Sequence, residues 1–269
     1  MTFGDVWFFL ARLKASRSLL KNLVIRDLKH RYVGSVGGFF WSIVYPLALL
    51  VVYYFVFAMV FRFRLVVAEY GTDNFALYTF CGILPWLMFQ DTVLRNCTAI
   101  TDNANLVSKT VIPSEVLPIA IMISNLIHHI IGLTILMGAL LVFHKIEISN
   151  LWVLAYLPVL VILAQGLGWL VSSLNVFFRD TSQVLNVLMI FWMWLTPIFY
   201  PIGLVPEPYR SFYALNPMAT LLTGYRNAFL QLAPPSVGHV VILLAWAAIF
   251  FLAGALFFRQ SKTAFADVL

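Results

Sequence analysis

The stretch SSLNVFFRDTSQVLNVLMIFW, residues 172–192, places a charged pair inside an apolar run and decides the fold. Between Leu151 and Tyr200 the chain carries two formal charges, on the neighbouring residues Arg179 and Asp180. A charge at the centre of a membrane helix costs about 3 kcal/mol. The pattern therefore predicts two long membrane helices that reverse direction at a tight turn around Arg179 and Asp180.

The composition indicates an integral membrane protein. Of the 269 residues, 62% are hydrophobic and 10% are charged, whereas soluble domains average about 25% charged residues. Several apolar runs reach the roughly 20 residues that cross a bilayer as a helix. The net charge of +6 does not predict a nucleic-acid partner, because Lys and Arg in the loops orient membrane proteins.

The predicted fold class is an all-α membrane protein with six spans. The spans are placed near residues 37–61, 75–95, 116–143, 151–178, 183–200 and 238–258. Six prolines break the apolar segment 201–237, and its best helical piece, Met218–Leu230, has about thirteen residues. We therefore predict re-entrant or interfacial helices in that segment, within one permease domain over residues 37–269.

Residues 1–36 form a separate basic segment that holds seven of the seventeen Lys and Arg residues. Leu20, Val24 and Leu28 recur every four residues, which predicts an amphipathic helix on the membrane surface. A positively charged cytoplasmic flank is a compatible alternative. With the N-terminus inside, twelve Lys and Arg residues lie on cytoplasmic segments and five outside, so both termini are predicted to be cytoplasmic. We expect no signal peptide, because the basic residues follow the first apolar run.

Motifs for catalysis or nucleotide binding are absent from the sequence. It contains no G-x-x-x-x-G-K-[ST], H-E-x-x-H, G-x-S-x-G or C-x-x-C. Cys81 and Cys97 lie about 24 Å apart if their segment is one helix, which excludes a disulfide between them. We expect no catalytic residues, no metal site and no cofactor bound by this chain.

Polar residues in the spans leave two interpretations open. Ser124, Asn125, His128 and His129 in span three favour hydrogen bonds between helices, or the polar wall of a conduit. The i,i+4 spacing of Asp91 and Arg95 permits an ion pair along one helix.

Aromatic residues form two clusters, in spans one and five. They are typical of interfacial belts, or they line a path for sugars. The path candidates are Tyr53, Trp192, Trp194 and Tyr200. Trp192 and Trp194 lie about half a helical turn apart, so we expect one of them at most on a given path.

Several stretches, in order, carry a family resemblance. They are IRDLKHRYVGSVGGFFWSIVYP (25–46), ILPWLMFQ (83–90), NANLVSKTVIPSEVLP (103–118), LNVFFRD (174–180), LTPIFYP (195–201) and LNPMATLLTGYRNAFL (215–230). Together they resemble the type-2 ABC exporter permeases of the O-antigen, teichoic-acid and capsule class, and most of all the O-antigen polysaccharide exporters.

The resemblance implies a half-transporter in the bacterial inner membrane. Two copies pair, and each engages a separate cytoplasmic ATPase subunit that binds ATP and Mg. The implied cargo is a polysaccharide on an undecaprenyl-type lipid carrier. An exporter of small amphiphiles, and a membrane enzyme or scaffold without an ATPase, remain alternatives.

The resemblance also assigns residues to an ATPase-facing surface. The assigned residues are Arg26, Asp27, Lys29, Arg31 and Tyr32 in the N-terminal helix, Asn105, Lys109, Pro113 and Glu115 in the first cytoplasmic loop, and Arg179 and Asp180 in the second. Phe177 and Phe178 are expected to anchor that second turn among the membrane helices. Arg226 is a candidate for the exit gate, in contact with a phosphate or a neighbouring carbonyl, or it simply lies at the interface.

Overall fold

The computed structural model describes residues 16–31, 35, 37–62, 65–109, 113–142, 146–231 and 234–269. Within these ranges the backbone forms helices and their connections, as predicted. The helices are α1 (Arg17–His30), α2 (Gly38–Val60), α3 (Val67–Tyr70), α4 (Phe75–Thr98), α5 (Ala104–Lys109), α6 (Val116–Val142), α7 (Ile148–Phe177), α8 (Thr181–Trp194), α9 (Glu207–Leu215), α10 (Pro217–Arg226), α11 (Val237–Ala264) and α12 (Phe265–Val268).

Within the described ranges, four helices are long and apolar enough to cross a membrane: α2, α6, α7 and α11. Their bounds agree with four of the six predicted spans to within a few residues. In the second predicted span, α4 is 24 residues long but more polar, with Asp91 and Arg95 in its second half. In the fifth, α8 ends at Trp194 rather than Tyr200, because Pro197 and Pro201 follow it and a proline has no amide hydrogen to continue a helix.

The main core surrounds α4, whose residues are buried along most of its length. Its largest buried side chains include Trp86, Phe80 and Phe89, and α10 adds Tyr225. Cys81 and Cys97 are buried free thiols, and both lie on the single helix α4.

A close backbone approach in the core joins α7 and α11. A Cβ atom built on Gly254 would lie 1.9 Å from the carbonyl oxygen of Gly166, and one on Gly166 would lie 2.5 Å from Cα of Phe251. Side chains larger than hydrogen are therefore excluded at both positions, and the two helices pack through their backbones.

A second, smaller core lies at the end of the bundle that holds α1. Leu23 of α1, Ile100, Val116, Phe258 and Phe265 meet there, and all five are buried. This second core gathers α1, the connection after α4, the start of α6 and the C-terminal residues into one packed unit.

Wide apolar faces are uncovered on several of the described helices, among them α2 and α8. Only 6% of the most apolar part of α2 is buried. On α8, Val184, Val187, Leu188 and Phe191 are each more than half exposed. A helix that is apolar on its exposed side needs lipid or another chain against it.

Candidate functional site

An ion-pair cluster joins α1 to the bundle. The guanidinium of Arg95 donates two hydrogen bonds to the carboxylate of Asp27, one of them at 3.2 Å. Arg31 Nη2 lies 2.7 Å from Asp91 Oδ2 and also donates to Asn125. Two carboxylates and two guanidinium groups therefore alternate between α1 and α4.

This cluster replaces the pair between Asp91 and Arg95 that their spacing permits along one helix. Each of the two forms its ion pair with α1 instead, Asp91 with Arg31 and Arg95 with Asp27. The i,i+4 spacing permits a pair within α4. However, α1 faces α4 with charges of both signs, so Arg31 and Asp27 give Asp91 and Arg95 better-oriented partners.

Residues of α1 assigned to a partner surface divide into two groups. Asp27 and Arg31 are half-buried and directed toward α4. Arg26 and Lys29 are exposed, and Arg26 Nη2 donates to Asn103 Oδ1 at 3.0 Å. The fifth residue, Tyr32, lies outside the described residues.

The connection between α4 and α6 holds the next group. Asn105 on α5 is exposed, and the half-buried Pro113 accepts a bond from the amide of Val116 at 3.0 Å. Glu115 is 7% exposed, and its Oε1 lies 3.0 Å from Nζ of Lys262. The side chain of Lys109 lies outside the described part. Glu115 thus has a contact inside the chain, and its contact with an ATPase stays a prediction.

The predicted turn between α7 and α8 is three residues long, Phe178–Asp180. Arg179 and Asp180 are exposed, and the amide of Thr181 donates to the carbonyl of Phe178 at 3.0 Å. Phe177 packs against Phe265, with ring centroids 6.3 Å apart. Phe178 is 67% exposed, so the expectation that both phenylalanines anchor the turn among the helices was wrong for Phe178. Its extended backbone turns the side chain away from the bundle.

Exposed polar residues therefore share one end of the molecule. α1 contacts α6, α12 contacts α5, and Phe265 joins α12 to the turn after α7. Through these contacts the second core packs beneath the elements that carry the exposed polar side chains. These side chains are Arg26, Lys29, Asn105, Arg179 and Asp180. We call this surface the platform.

The aromatic path candidates lie toward the opposite end. Trp192 is packed inside, edge-on to Phe89 at 5.1 Å, and its Nε1 donates to Asn216 Oδ1 at 3.0 Å. Trp194 is 57% exposed. The two tryptophans therefore point to different sides of α8, and the placement of either on a sugar path stays a prediction.

Tyr53 and Tyr200 belong to the same region as Trp194. Tyr53 contacts Phe199, with centroids 6.0 Å apart. The hydroxyl of Tyr200 donates to the carbonyl of Trp194 at 2.6 Å and lies 3.0 Å from the hydroxyl of Tyr213. The role of these aromatic side chains in a sugar path stays a prediction.

Arg226 is 6% exposed and serves three backbone carbonyls. Nη1 donates to Pro197 at 2.7 Å, Nη2 to Ile198 at 2.8 Å and Nε to Tyr78 at 3.3 Å. The guanidinium carbon also lies 3.7 Å from the centre of the Tyr78 ring. Of the contacts expected for Arg226, the structure therefore shows the one with neighbouring carbonyls. It satisfies carbonyls that the proline break after α8 leaves without helical partners.

Of the polar patch on α6, His129 is buried, and its Nε2 lies 3.0 Å from the hydroxyl of Tyr225. His128 Nδ1 lies 2.8 Å from the carbonyl of Ser124. Asn125 donates to Thr92 at 3.0 Å. Two of these bonds join helices, which favours the structural interpretation of the patch.

Comparison with known protein families identifies the family to which the chain belongs. The sequence profile of the ABC-2 type transporter family matches residues 18–230, well over half of the chain. The chain belongs to the ABC-2 type transporter family.

Relatives of this ABC-2 permease include exporters of polysaccharides. An O-antigen export system permease protein RfbA from Myxococcus xanthus is 30% identical over 257 residues, which cover 93% of this chain and 95% of the relative. Another RfbA, from Klebsiella pneumoniae, is 28% identical over 253 residues, with the same coverage. A polysialic acid transport protein KpsM from Escherichia coli is 22% identical over 208 residues, which cover 77% of this chain and 79% of the relative. ABC-2 permeases are transport proteins and are not themselves enzymes.

Sequence reasoning missed the partners that hold the platform of the ABC-2 permease together. Lys262 and Phe265 were assigned no role, and the ion pairs of Asp27 and Arg31 with α4 were not predicted. The sequence contained a weak indication of the ion pairs between α1 and α4, because each of these helices carries residues of both charges. The pairing of Lys262 with Glu115 spans 147 residues and leaves no local pattern.

Proposed function

We propose that the chain is the transmembrane subunit of an ATP-driven exporter that moves lipid-linked polysaccharide across the bacterial inner membrane, with O-antigen as the cargo. The support is the match over 93% of the chain to permeases named for O-antigen export. The carrier would be an undecaprenyl-type lipid.

ATP hydrolysis belongs, in this proposal, to a separate cytoplasmic subunit. The sequence has no P-loop motif, so ATP and Mg would bind to that partner. The platform offers exposed cationic and polar side chains supported by a packed core. Rigid support of this kind is what a surface needs in order to pass on a movement of its partner.

A second copy of the chain would complete the transporter. The uncovered apolar faces of α2 and α8 support this, because a membrane path for a polar glycan must be enclosed by protein. A homodimer encloses such a path between two copies, with Tyr53 and Trp194 at its rim.

The proposed topology has six crossings and two cytoplasmic termini. α4 and α8 would complete the six together with the four long apolar helices. α8 spans about 21 Å at 1.5 Å per residue, so the following residues 195–200 would extend the crossing. α9 and α10 would form the re-entrant region at the outer side. Residues 1–36 would form the interface segment and 37–269 the permease domain.

Capsule export is the second candidate, and the KpsM relative supports it. Both cargoes are polysaccharides, so the platform and the dimer are common to the two proposals.

Co-expression with candidate ATPase subunits tests the partner assignment. The proposal predicts a stable complex of two permease and two ATPase chains after purification in detergent. A single cysteine introduced at Val187, which is 53% exposed on α8, should cross-link two copies. A cysteine at Val268, which is 45% exposed, should not. A monomer that binds no ATPase would contradict the proposal.

A further inference from the structure

A cavity of about 490 Å³ lies between α2, α4 and α6, next to the ion-pair cluster. Its size falls in the range of ligand sites, roughly 300–1,000 Å³. None of the roles proposed above for the platform, the dimer or the aromatic path uses it.

One end of the cavity is polar and charged. Arg31, Asp91, Asn125 and His128 line it. The side chain of Asp91 is 43% exposed, and its bond to Arg31 uses Oδ2. Oδ1 accepts no hydrogen bond from the residues that the structure describes. The cavity therefore presents a carboxylate oxygen that is open to a donor.

The charges around this end balance. Asp27 and Asp91 are offset by Arg31 and Arg95, which gives the cluster a formal charge of zero. A purely anionic ligand would be repelled by the carboxylate of Asp91. A purely cationic ligand would be repelled by the guanidinium of Arg31. A ligand that carries one positive and one negative group matches both.

The other end of the cavity is apolar. Leu84 and Leu87 of α4, Pro46 of α2 and Gly132 of α6 line it. Leu84 lies two turns along α4 from Asp91, about 10 Å at 1.5 Å per residue. A polar end and an apolar end about 10 Å apart have the form of a lipid: a headgroup followed by part of an acyl chain.

We propose that this cavity holds a zwitterionic aminophospholipid, phosphatidylethanolamine, as a bound structural lipid. Its ammonium group donates to Asp91, its phosphate accepts from Arg31, and one acyl chain lies between Leu84 and Leu87. A primary ammonium has the N–H donors that a carboxylate needs, which the quaternary ammonium of phosphatidylcholine lacks. The proposal depends on membrane insertion and not on the nature of the cargo.

Lipid competition measured by native mass spectrometry tests the site. The purified protein is incubated with equimolar phosphatidylethanolamine and phosphatidylglycerol, and the retained lipids are counted. We expect a preference of roughly ten-fold for phosphatidylethanolamine, the effect of one charge-assisted hydrogen bond. Asp91→Asn gives the cluster a formal charge of +1 and should therefore shift retention toward the anionic phosphatidylglycerol. Asp102→Asn, which removes an exposed carboxylate outside the cavity, should retain the original preference.

A second variant separates the cavity from the charge. Leu87→Trp fills the apolar end, so it should reduce retention of both lipids while the protein elutes as the wild type does. Equal retention of both lipids by the wild type would overturn the proposal. An unchanged preference in Asp91→Asn would overturn it too, as would undiminished lipid retention in Leu87→Trp. Displacement of phosphatidylethanolamine by equimolar undecaprenyl diphosphate would assign the cavity to a carrier lipid and overturn it as well.

Discussion

Lys262 Nζ lies 3.0 Å from Glu115 Oε1 and joins the end of α11 to the start of α6. Glu115 is nearly buried and the side chain of Lys262 is 28% exposed, so water screens this pair only in part. The pair closes the second core on the side of the C-terminus. It makes the C-terminal residues part of the structure that supports the platform.

Reversal of one charge in this pair should destabilise the platform. Lys262→Glu places two carboxylates together, one of them buried, and we expect a loss of about 1–3 kcal/mol in the free energy of unfolding. The exchange Lys262→Glu with Glu115→Lys should recover part of that loss. A double-mutant cycle on thermal unfolding in detergent measures the coupling. Additive effects of the two substitutions would show that the pair contributes nothing.

The crossing of α7 and α11 should tolerate no side chain at Gly254. Gly254→Ala places a methyl group on the Gly166 carbonyl and forces the two helices apart, which we expect to cost about 1–3 kcal/mol. Gly138→Ala is the matched control, since nothing lies within 4 Å of its Cβ position. It should be neutral or stabilise the helix by up to about 1 kcal/mol. Equal unfolding temperatures for the two variants would contradict the close crossing.

Arg226 should be required for stability. Arg226→Met leaves the carbonyls of Pro197, Ile198 and Tyr78 without their donor, and we expect a loss of about 3 kcal/mol. Arg210 also donates to two carbonyls, those of Gly203 and Val205, but its side chain is 42% exposed. Arg210→Met should therefore cost less than about 1 kcal/mol, because water replaces the lost bonds. If Arg226→Met unfolds like the wild type yet abolishes export, Arg226 acts on the cargo instead.

Arg179 should affect coupling to the ATPase without affecting folding. Arg179→Glu reverses an exposed charge on the platform, and we expect the ATPase activity of the assembled complex to fall roughly five-fold, equivalent to about 1 kcal/mol. Membrane insertion, measured by the amount of extracted protein, should stay normal. Arg210→Glu, which reverses an exposed charge on α9 away from the platform, serves as the control. Wild-type ATPase activity in the Arg179→Glu complex would contradict a coupling role, and Arg179 and Asp180 would then only mark the cytoplasmic side of the turn.

Helix positions were predictable because they depend on local properties. Long apolar runs and proline breaks placed each of the six predicted segments on a helix, including the reversal at Arg179. The break at Pro197 was also visible in the sequence, yet the end of α8 was placed too late, because the residues after Trp194 remain apolar. Hydropathy indicates which residues are buried in lipid or protein, but it does not indicate where the backbone hydrogen bonds of a helix end.

The contacts of the candidate site were less predictable because they join distant residues. Arg226 reaches a carbonyl 148 residues earlier, and Arg31 reaches Asp91 across 60 residues. The family resemblance assigned Asp27, Arg31 and Glu115 to an ATPase-facing surface. The fold instead turns each of these side chains toward an internal partner, and this distinction requires the tertiary arrangement.

ATP-dependent export in reconstituted vesicles tests the central claim most directly. The permease and its ATPase subunit are incorporated together, lipid-linked polysaccharide is supplied on the ATPase side, and glycan that reaches the other side is measured. The account predicts translocation that requires ATP, the ATPase subunit and the permease together. No translocation of lipid-linked polysaccharide by an assembled complex that hydrolyses ATP would contradict it.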